Sequence, residues 1–455
     1  MSQRTFDVVV IGAGPAGEVC AGRLAQGGLD VVVVEQHLIG GECSFYACMP
    51  SKALLRPAQV VAEARRVPGA AEAAGGKLDV QAVLDRRDEV IHDLDDAEQL
   101  PWLEDLGIAL VRGHGRITGE RTVDVGDETL VARQAVVIAT GTEAAMPPID
   151  GLREAEPWTN REATTAKEIP ASLVVLGGGT VGIELADAYA SLGTKVTVIE
   201  AGPRVLAREE PFAGDEVCAA LADAGVDIRV DTSATSVRRE DGRVTVELDD
   251  GTSVSGAELL VAVGRRTLST DLGVEDLGVE PGKPIEVDDT LRVPGHEWLY
   301  VIGDANGRTL LTHMGKYQAR LAADRILGRP VPLRSDGPKS PRVTFTEPQV
   351  AAVGHTLASA REVGINARAV DVSTEGNAGG SFVGKGAPGT CRIVVDEDRR
   401  VIVGATFTGF EMGEALHAAT IAVIGEVSLD DLWHAVPCFP TRSELWLKLL
   451  EDYGM

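Results

Sequence analysis

The chain has 455 residues, 44% of them hydrophobic and 25% charged, with a formal net charge of −26 at pH 7. That length provides for about three domains of ordinary globular composition, and the acidity argues against nucleic acid or an anionic membrane surface as a partner. No run of about 18 apolar residues is present to span a membrane, the six cysteines are too sparse for a secreted disulfide scaffold, and no basic-plus-apolar leader precedes the first strand, so a cytoplasmic location is expected.

The first predicted element is a short apolar strand, Asp7-Val8-Val9-Val10-Ile11, of the kind a parallel sheet buries. Gly12-Ala13-Gly14-Pro15-Ala16-Gly17 follows at once, then a helix through Leu24 and a second strand over 31–34 that ends at Glu35. This is a βαβ dinucleotide fingerprint. Gly12, Gly14 and Gly17 permit a tight turn and close approach of a pyrophosphate to the helix N-terminus, and Glu35 is placed to accept hydrogen bonds from an adenosine ribose.

The next stretch, Gly40-Gly41-Glu42-Cys43-Ser44-Phe45-Tyr46-Ala47-Cys48-Met49-Pro50-Ser51-Lys52, opens with a glycine pair that lets the chain turn closely against a flat group. Cys43 and Cys48 lie near the N-terminus of a predicted helix, where the thiolate is favoured. Lys52 follows Cys48 by about one turn on the same face. A cysteine pair beside a cation reads as a redox device. A zinc site would need further ligands, and no Cys or His pair at zinc spacing occurs elsewhere, so no metal is expected.

Residues 55–105 read as mostly helical, with an interruption near 68–76, and a strand-rich stretch begins at Gly113-His114-Gly115-Arg116-Ile117. It leads to a buried strand and glycine turn, Ala135-Val136-Val137-Ile138-Ala139-Thr140-Gly141-Thr142, and then to a linker over 147–151. The fingerprint then repeats. A strand over 173–176 precedes Gly177-Gly178-Gly179-Thr180-Val181-Gly182, a helix over 183–192 and a strand over 195–199 that ends at Glu200. The interval from Gly12 to Glu35 equals that from Gly177 to Glu200, and two copies at one spacing imply two separate dinucleotides. A further strand over 257–263 closes on Gly264-Arg265, a strand over 298–302 ends at Gly303-Asp304, and a helix covers about 313–327. Past a boundary at 330–341 the texture changes: strands near 342–345, 390–395 and 401–408, helices after Ser359 and Gly413, and no phosphate loop, which reads as a third domain.

From about residue 5 to residue 450 the sequence resembles the FAD-dependent pyridine nucleotide–disulfide oxidoreductases, the group of dihydrolipoamide dehydrogenase, glutathione reductase and mercuric reductase. The resemblance rests on Gly12 to Gly17, Cys43 to Lys52, Ala139-Thr140-Gly141, Gly177 to Glu184, Gly303-Asp304 and Phe439 to Glu444, in that order. It implies an α/β fold with two Rossmann-like dinucleotide-binding domains plus a C-terminal α+β dimerisation domain. The FAD part would comprise 1–150 and 272–335, the NAD part 151–271, and the dimerisation part 336–455. It also implies that the first fingerprint holds FAD and the second NAD(H), that Lys52 lies by the flavin N5 and pairs with Glu184, and that Asp304 binds the ribityl chain. Gly41 belongs to the turn against the flavin, His313 would pass near it, His114-Gly115 would line the adenine, and Gly264 would lie along the nicotinamide nucleotide. Cys48 would be the thiol nearest the flavin and Cys43 the one that meets substrate, with electrons passing from NAD(P)H through FAD to their disulfide and on to a disulfide acceptor. A homodimer is implied, each C-terminal domain completing the partner's active site.

The sequence departs from that pattern in the cysteine loop, where Phe45 and Ala47 replace the family's common Asn and Gly, and at the C-terminal motif. Many disulfide-reducing members read His-Pro-Thr, two residues, then Glu; this chain reads Phe439-Pro440-Thr441-Arg442-Ser443-Glu444. The orienting acid is present and the histidine is not, and Phe moves no proton. His434 lies upstream, and Cys438 is expected to be a buried, inert thiol. Glu200 favours NADH over NADPH because a carboxylate repels a 2′-phosphate, while Arg204 and Arg208 lie further on. The acceptor expected from the resemblance is a small-molecule or protein disulfide; the alternative is a quinone or metal ion, which needs less proton help.

Overall fold

The computed structural model describes residues 2–455, which fall into two compact units. One is built from residues up to Pro50, Asp88–Ala145 and Arg265–Gly337. At its centre the strand Ser2–Ile11 lies parallel between Val31–Glu35 and Glu128–Ile138, with Val8 opposite Val31 and Ile11 opposite Ile138. Ala109–Arg112 extends the sheet beyond Val31–Glu35, and Leu299–Val301 pairs in parallel with the end of Glu128–Ile138. The first half of Glu128–Ile138 instead continues antiparallel through Thr122–Val125 to Gly115–Gly119. Side chains of the central strand alternate between two faces, and both faces are dry. Val8 and Val10 pack with Leu24, Val33 and Val137, while Val9 and Ile11 pack with Val32, Val34 and Ile138. That is why the strand reads as a continuous apolar run.

The other unit comprises Ser51–Arg87, Met146–Gly264 and Pro338–Met455. It holds a parallel sheet in the order Asp227–Arg229, Lys195–Ile199, Ser172–Leu176, Glu258–Val261, and an antiparallel meander over Ala234–Glu240, Arg243–Leu248 and Ser253–Gly256. A five-stranded antiparallel sheet runs Arg342–Thr344, Gln349–Gly354, Val401–Gly409, Thr390–Asp396, Ala367–Ser373. Leu416, Ala419 and Val423 of the helix Met412–Gly425, and Leu445 and Leu449 of Leu445–Tyr453, bury one face of it against Val353, Ile393 and Phe407.

Two of those strands are absent from the sequence reading. Gln349–Gly354 is a short run buried throughout, and Ala367–Ser373 alternates only weakly. The helix expected after Ser359 starts earlier, at Leu357, because the Thr356 side chain caps it by accepting from the Ser359 amide. Among the described residues no helix is long and apolar enough to cross a membrane.

Candidate active site

The first phosphate turn is set by steric necessity. Gly12 has φ 103°, and a Cβ there would lie 2.4 Å from the Ala139 carbonyl oxygen; a Cβ on Gly17 would lie 1.9 Å from the oxygen of Gly12. A Cβ added at Gly14 would meet nothing within 4 Å, so the turn opens outward in that direction, at the N-terminus of the helix Pro15–Gln26. The buried Glu35 carboxylate accepts from the amides of Ala13 and His37, each at 2.7 Å, and so ties the strand end to the turn. A Cβ on Gly41 would lie 2.8 Å from the Gly14 Cα, which seats the start of the cysteine loop directly on the phosphate turn.

The same unit holds a polar chain that the sequence reading missed. The Arg265 guanidinium donates to the Thr142 hydroxyl (2.6 Å) and carbonyl (2.7 Å) and reaches Glu42 at 3.4 Å; Thr142 in turn donates to Asp304 at 2.9 Å. Burial pushes the Asp304 carboxyl up, opposed by the Thr142 bond and the Arg265 charge. Arg265 directly follows Gly264, and Glu42 lies inside the cysteine stretch, so both were within reach of the motifs. The Thr140 hydroxyl beside the Gly141 turn is buried with no hydrogen-bond partner among the described residues. His114 meets Gln36 (3.2 Å) and the Asp271 carbonyl (2.9 Å) through its two ring nitrogens, and Gly115 starts the strand Gly115–Gly119 against Val34.

Cys43 lies in the short helix Gly41–Phe45, and Cys48 is the first residue of Cys48–Arg66. Both are thiols and they share a hydrogen bond, which with burial drives the Cys43 thiol up; Thr312 and Lys316 pull it back. Thr312, the first residue of the helix Thr312–Ile326, also sits 3.4 Å from Cys48 Sγ. The sequence reading chose His313, which is exposed, and passed over the neighbour that touches the sulfur. Phe45 is fully buried and fills the inside of the loop.

In the other unit Lys52 Nζ lies 2.7 Å from Glu184 Oε2, 3.3 Å from the Ser51 hydroxyl and 4.7 Å from the centre of the Phe345 ring. Glu184 is only 3% exposed, and its second oxygen accepts from the Phe345 amide at 2.8 Å. A buried carboxylate held on both oxygens keeps one orientation, and it fixes the ammonium in one place. The second phosphate turn repeats the first: Gly177 has φ 107° and its added Cβ would lie 2.5 Å from the Ala262 oxygen, Gly182 packs on Gly177, and Gly179 is open. Glu200 accepts from the amides of Gly178 (2.5 Å) and Gly202 (2.6 Å). Gly264 follows the neighbouring strand Glu258–Val261 by three residues and has φ 150°. Arg204 bonds the Ala207 carbonyl at 3.0 Å, its Nε is buried without a partner among the described residues, and Arg208 is exposed.

At the C-terminal motif Phe439 is 76% exposed and Val436 82%. Cys438 is exposed too, which corrects the expectation of a buried thiol: residues around it carry no sheet or long helix to cover it. His434 is exposed, and one oxygen of Glu444 is buried without a partner among the described residues.

Two dinucleotide turns, a dithiol and a buried Lys–Glu pair together define a nucleotide-dependent disulfide reductase. Residues 6–319 match the pyridine nucleotide-disulphide oxidoreductase family and residues 340–449 match its dimerisation domain, so the chain belongs to that family. It is therefore a flavoprotein oxidoreductase that uses FAD and NAD(P), and its dimerisation domain supports a homodimer. The chain is 31% identical to a dihydrolipoyl dehydrogenase of Haloferax volcanii, over 98% of this chain and 96% of that protein. It is 33% identical to one of Thermus scotoductus, over 97% and 96%. A mercuric reductase of Bacillus cereus is 28% identical over 96% of this chain and 70% of its own length. Among solved structures, the HOCl-induced flavoprotein disulfide reductase RclA from Escherichia coli superimposes with TM-score 0.86 at 25% identity, over 98% of this chain and 99% of that one.

Proposed function

We propose that this protein oxidises NADH in preference to NADPH and reduces a disulfide through the Cys43–Cys48 pair. The observation that carries the reading is the dithiol itself: two hydrogen-bonded sulfurs next to a helix N-terminus, seated on the first phosphate turn through Gly41. Several features of the first unit fit FAD. Gly14 leaves room for a pyrophosphate, Glu35 is poised at the strand end for a ribose, and the buried Thr140 hydroxyl and the Asp304 carboxyl offer unused hydrogen-bonding capacity. The bound flavin supplies the two-electron chemistry that links a nicotinamide to a disulfide.

The chain's own residues do the rest. Residues 1–150 with 272–335 bind FAD, 151–271 bind the nicotinamide nucleotide, and 336–455 make the dimer. Lys52, held by Glu184, presents a fixed positive charge at the flavin N5. Cys48 is the thiol nearest the flavin and Cys43 exchanges with the acceptor, its sulfur attacking or leaving as the mixed disulfide forms and resolves. His114 and Gly115 line the adenine, His313 passes near the flavin, and Gly177, Gly179, Gly182, Glu200 and Gly264 form the nicotinamide nucleotide site. Glu200, with both oxygens engaged by turn amides, holds at the strand end a carboxylate that repels a 2′-phosphate.

Phe439 favours a second reading of the acceptor. An exposed Phe in place of an acid–base residue suits a quinone or a metal ion, whose reduction needs no protonated thiolate leaving group. A panel of lipoamide, glutathione disulfide, thioredoxin-like proteins, quinones and metal ions, assayed with NADH, separates the two. Turnover of disulfides that is lost in Cys43→Ser supports the disulfide acceptor; quinone turnover that survives it supports the second.

A further inference from the structure

Glu184 is not the only acid on its helix that holds a neighbouring segment. Asp187, three residues on along Thr180–Ser191, accepts from the Glu347 amide at 3.1 Å, as Glu184 accepts from the Phe345 amide at 2.8 Å. Two carboxylates on one helix face therefore grip residues 345–347 at two successive hydrogen-bonding positions. Gln59 holds the same segment by donating to the Phe345 carbonyl at 2.8 Å, and Arg66 pairs with Glu347 at 2.8 Å. What the segment carries is the Phe345 ring, against which Lys52 Nζ rests at 4.7 Å.

We propose that Asp187 is a positioning residue for Lys52: it clamps the 345–347 segment so that Phe345 backs the ammonium, and its ionisation adds a negative charge behind the Lys52–Glu184 pair. The charged groups that face it are Glu184 on its own helix, Glu347 on the clamped segment, and behind these Lys52 and Arg66 on Cys48–Arg66. Burial pushes the Asp187 carboxyl up to about 7, with the charges of Glu347 and Glu184 adding and the Glu347 amide opposing. It therefore changes charge in the middle of the working pH range. Protonated, it leaves the field of Lys52 at full strength; ionised, it weakens that field and tightens the grip on the Glu347 amide. The effect on turnover rests on the reading of Lys52 as the cation beside the flavin; the clamp itself does not.

Asp187→Asn keeps an acceptor for the amide and removes the charge, whereas Asp187→Ala removes both. Three measurements on the holoenzyme test the proposal. Amide exchange of the peptide over 342–350 is expected to speed up in Asp187→Ala and stay as in wild type in Asp187→Asn. A carboxyl raised in the folded state costs stability as pH climbs from about 4 to about 7. The melting temperature of Asp187→Asn should accordingly pull ahead of wild type with rising pH, by about 3 °C between pH 5 and pH 8. Flavin reduction by NADH, followed by stopped flow, should slow about threefold in wild type between pH 6 and pH 8.5 and stay level in Asp187→Asn. An Asp187→Asn protein that retains the wild-type pH step, or an Asp187→Ala protein with unchanged exchange, overturns the proposal. Lys52→Met discriminates the premise: if it leaves the flavin spectrum and its reduction unchanged, the reading of Lys52 fails, whatever the exchange and melting data say of the clamp.

Discussion

At Gly12 and at Gly177 the backbone takes φ 103° and 107°, an added Cβ would strike the carbonyl of Ala139 or Ala262, and the last glycine of each turn packs on the first. Each turn is also tied to its strand end in one way, Glu35 accepting from Ala13 and His37 and Glu200 from Gly178 and Gly202. The copies part company around this shared frame. Residue four of the first helix is the half-buried acid Glu18, and its counterpart is the buried Ile183. The strand beside the first turn is followed by Ala139-Thr140-Gly141, whose buried Thr140 hydroxyl has no hydrogen-bond partner among the described residues; the strand beside the second is followed by Ala262-Val263-Gly264, with Val263 46% exposed. Gly41 seats the cysteine loop on the first turn, its added Cβ falling 2.8 Å from the Gly14 Cα. The division of labour proposed for the two turns, a resident FAD at the first and an exchanging nicotinamide nucleotide at the second, rests on these differences.

The largest effect should come from filling the space between paired glycines. Gly17→Ala places a methyl 1.9 Å from a backbone oxygen and Gly182→Ala one 2.1 Å from its counterpart. Neither oxygen can move without breaking its turn. Gly17→Ala is expected to purify colourless or poorly folded. Gly182→Ala should remain yellow and lose NADH-driven bleaching by about 10²-fold or more. Absorbance of the purified proteins and stopped-flow reduction check both, and equal flavin loss in the two would break the division of labour between the turns.

A second test separates the nucleotide side from the acceptor side. Neither turn depends on Phe439, so flavin reduction by NADH should be fast while lipoamide or glutathione turnover lags histidine-bearing relatives by about 10²-fold or more. Phe439→His is expected to recover part of that loss, because the buried Glu444 oxygen lacks a partner and can accept from an imidazole. Rapid wild-type lipoamide turnover, with an alkaline limb that survives His434→Ala, would show that another base serves the site.

These tests follow how much of the molecule could be read from its residues. The turns were legible because only glycine tolerates a carbonyl at 2 Å, and that constraint is written in the sequence. The Lys52–Glu184 pair was not legible by spacing; only the family resemblance joined two residues so distant in the chain. Thr312, Arg265 and Phe345 escaped because each acts through a contact made by folding, while its neighbours in sequence carry the motif. Gln349–Gly354 escaped because a short run buried on all sides has no period, and Cys438 because burial of a lone thiol depends on what the rest of the fold places over it.

Nucleotide choice should show a smaller effect. Wild type is expected to prefer NADH over NADPH by about tenfold or more, and Glu200→Gln to narrow that ratio mainly through a higher KM for NADH. Glu200 also holds two amides of its turn, so the change weakens the frame as well as the ribose contact. A wild-type preference for NADPH would assign the partnerless Nε of Arg204 to a 2′-phosphate and reverse the reading of Glu200.

The smallest effect isolates the one acid that the second copy does without. Burial pushes the Glu18 carboxyl up to about 7, with Glu35 adding to the rise and Lys316 opposing it. A carboxyl raised in the folded state leaves stability intact below its unfolded value and removes it as pH climbs through the folded one. Glu18→Gln should therefore melt with wild type near pH 4.5 and gain on it towards pH 8. The side chain keeps some contact with water, so the gain is about 1 kcal/mol, or about 2 °C. Replacing Ile183 by Val at the matching position of the second copy should give a difference that does not change with pH, since no titrating group is touched. Thermal unfolding of both variants across that range decides it: a pH-independent gap for Glu18→Gln would mean that the carboxyl is already ionised against Lys316, and that the two turns differ there in shape alone.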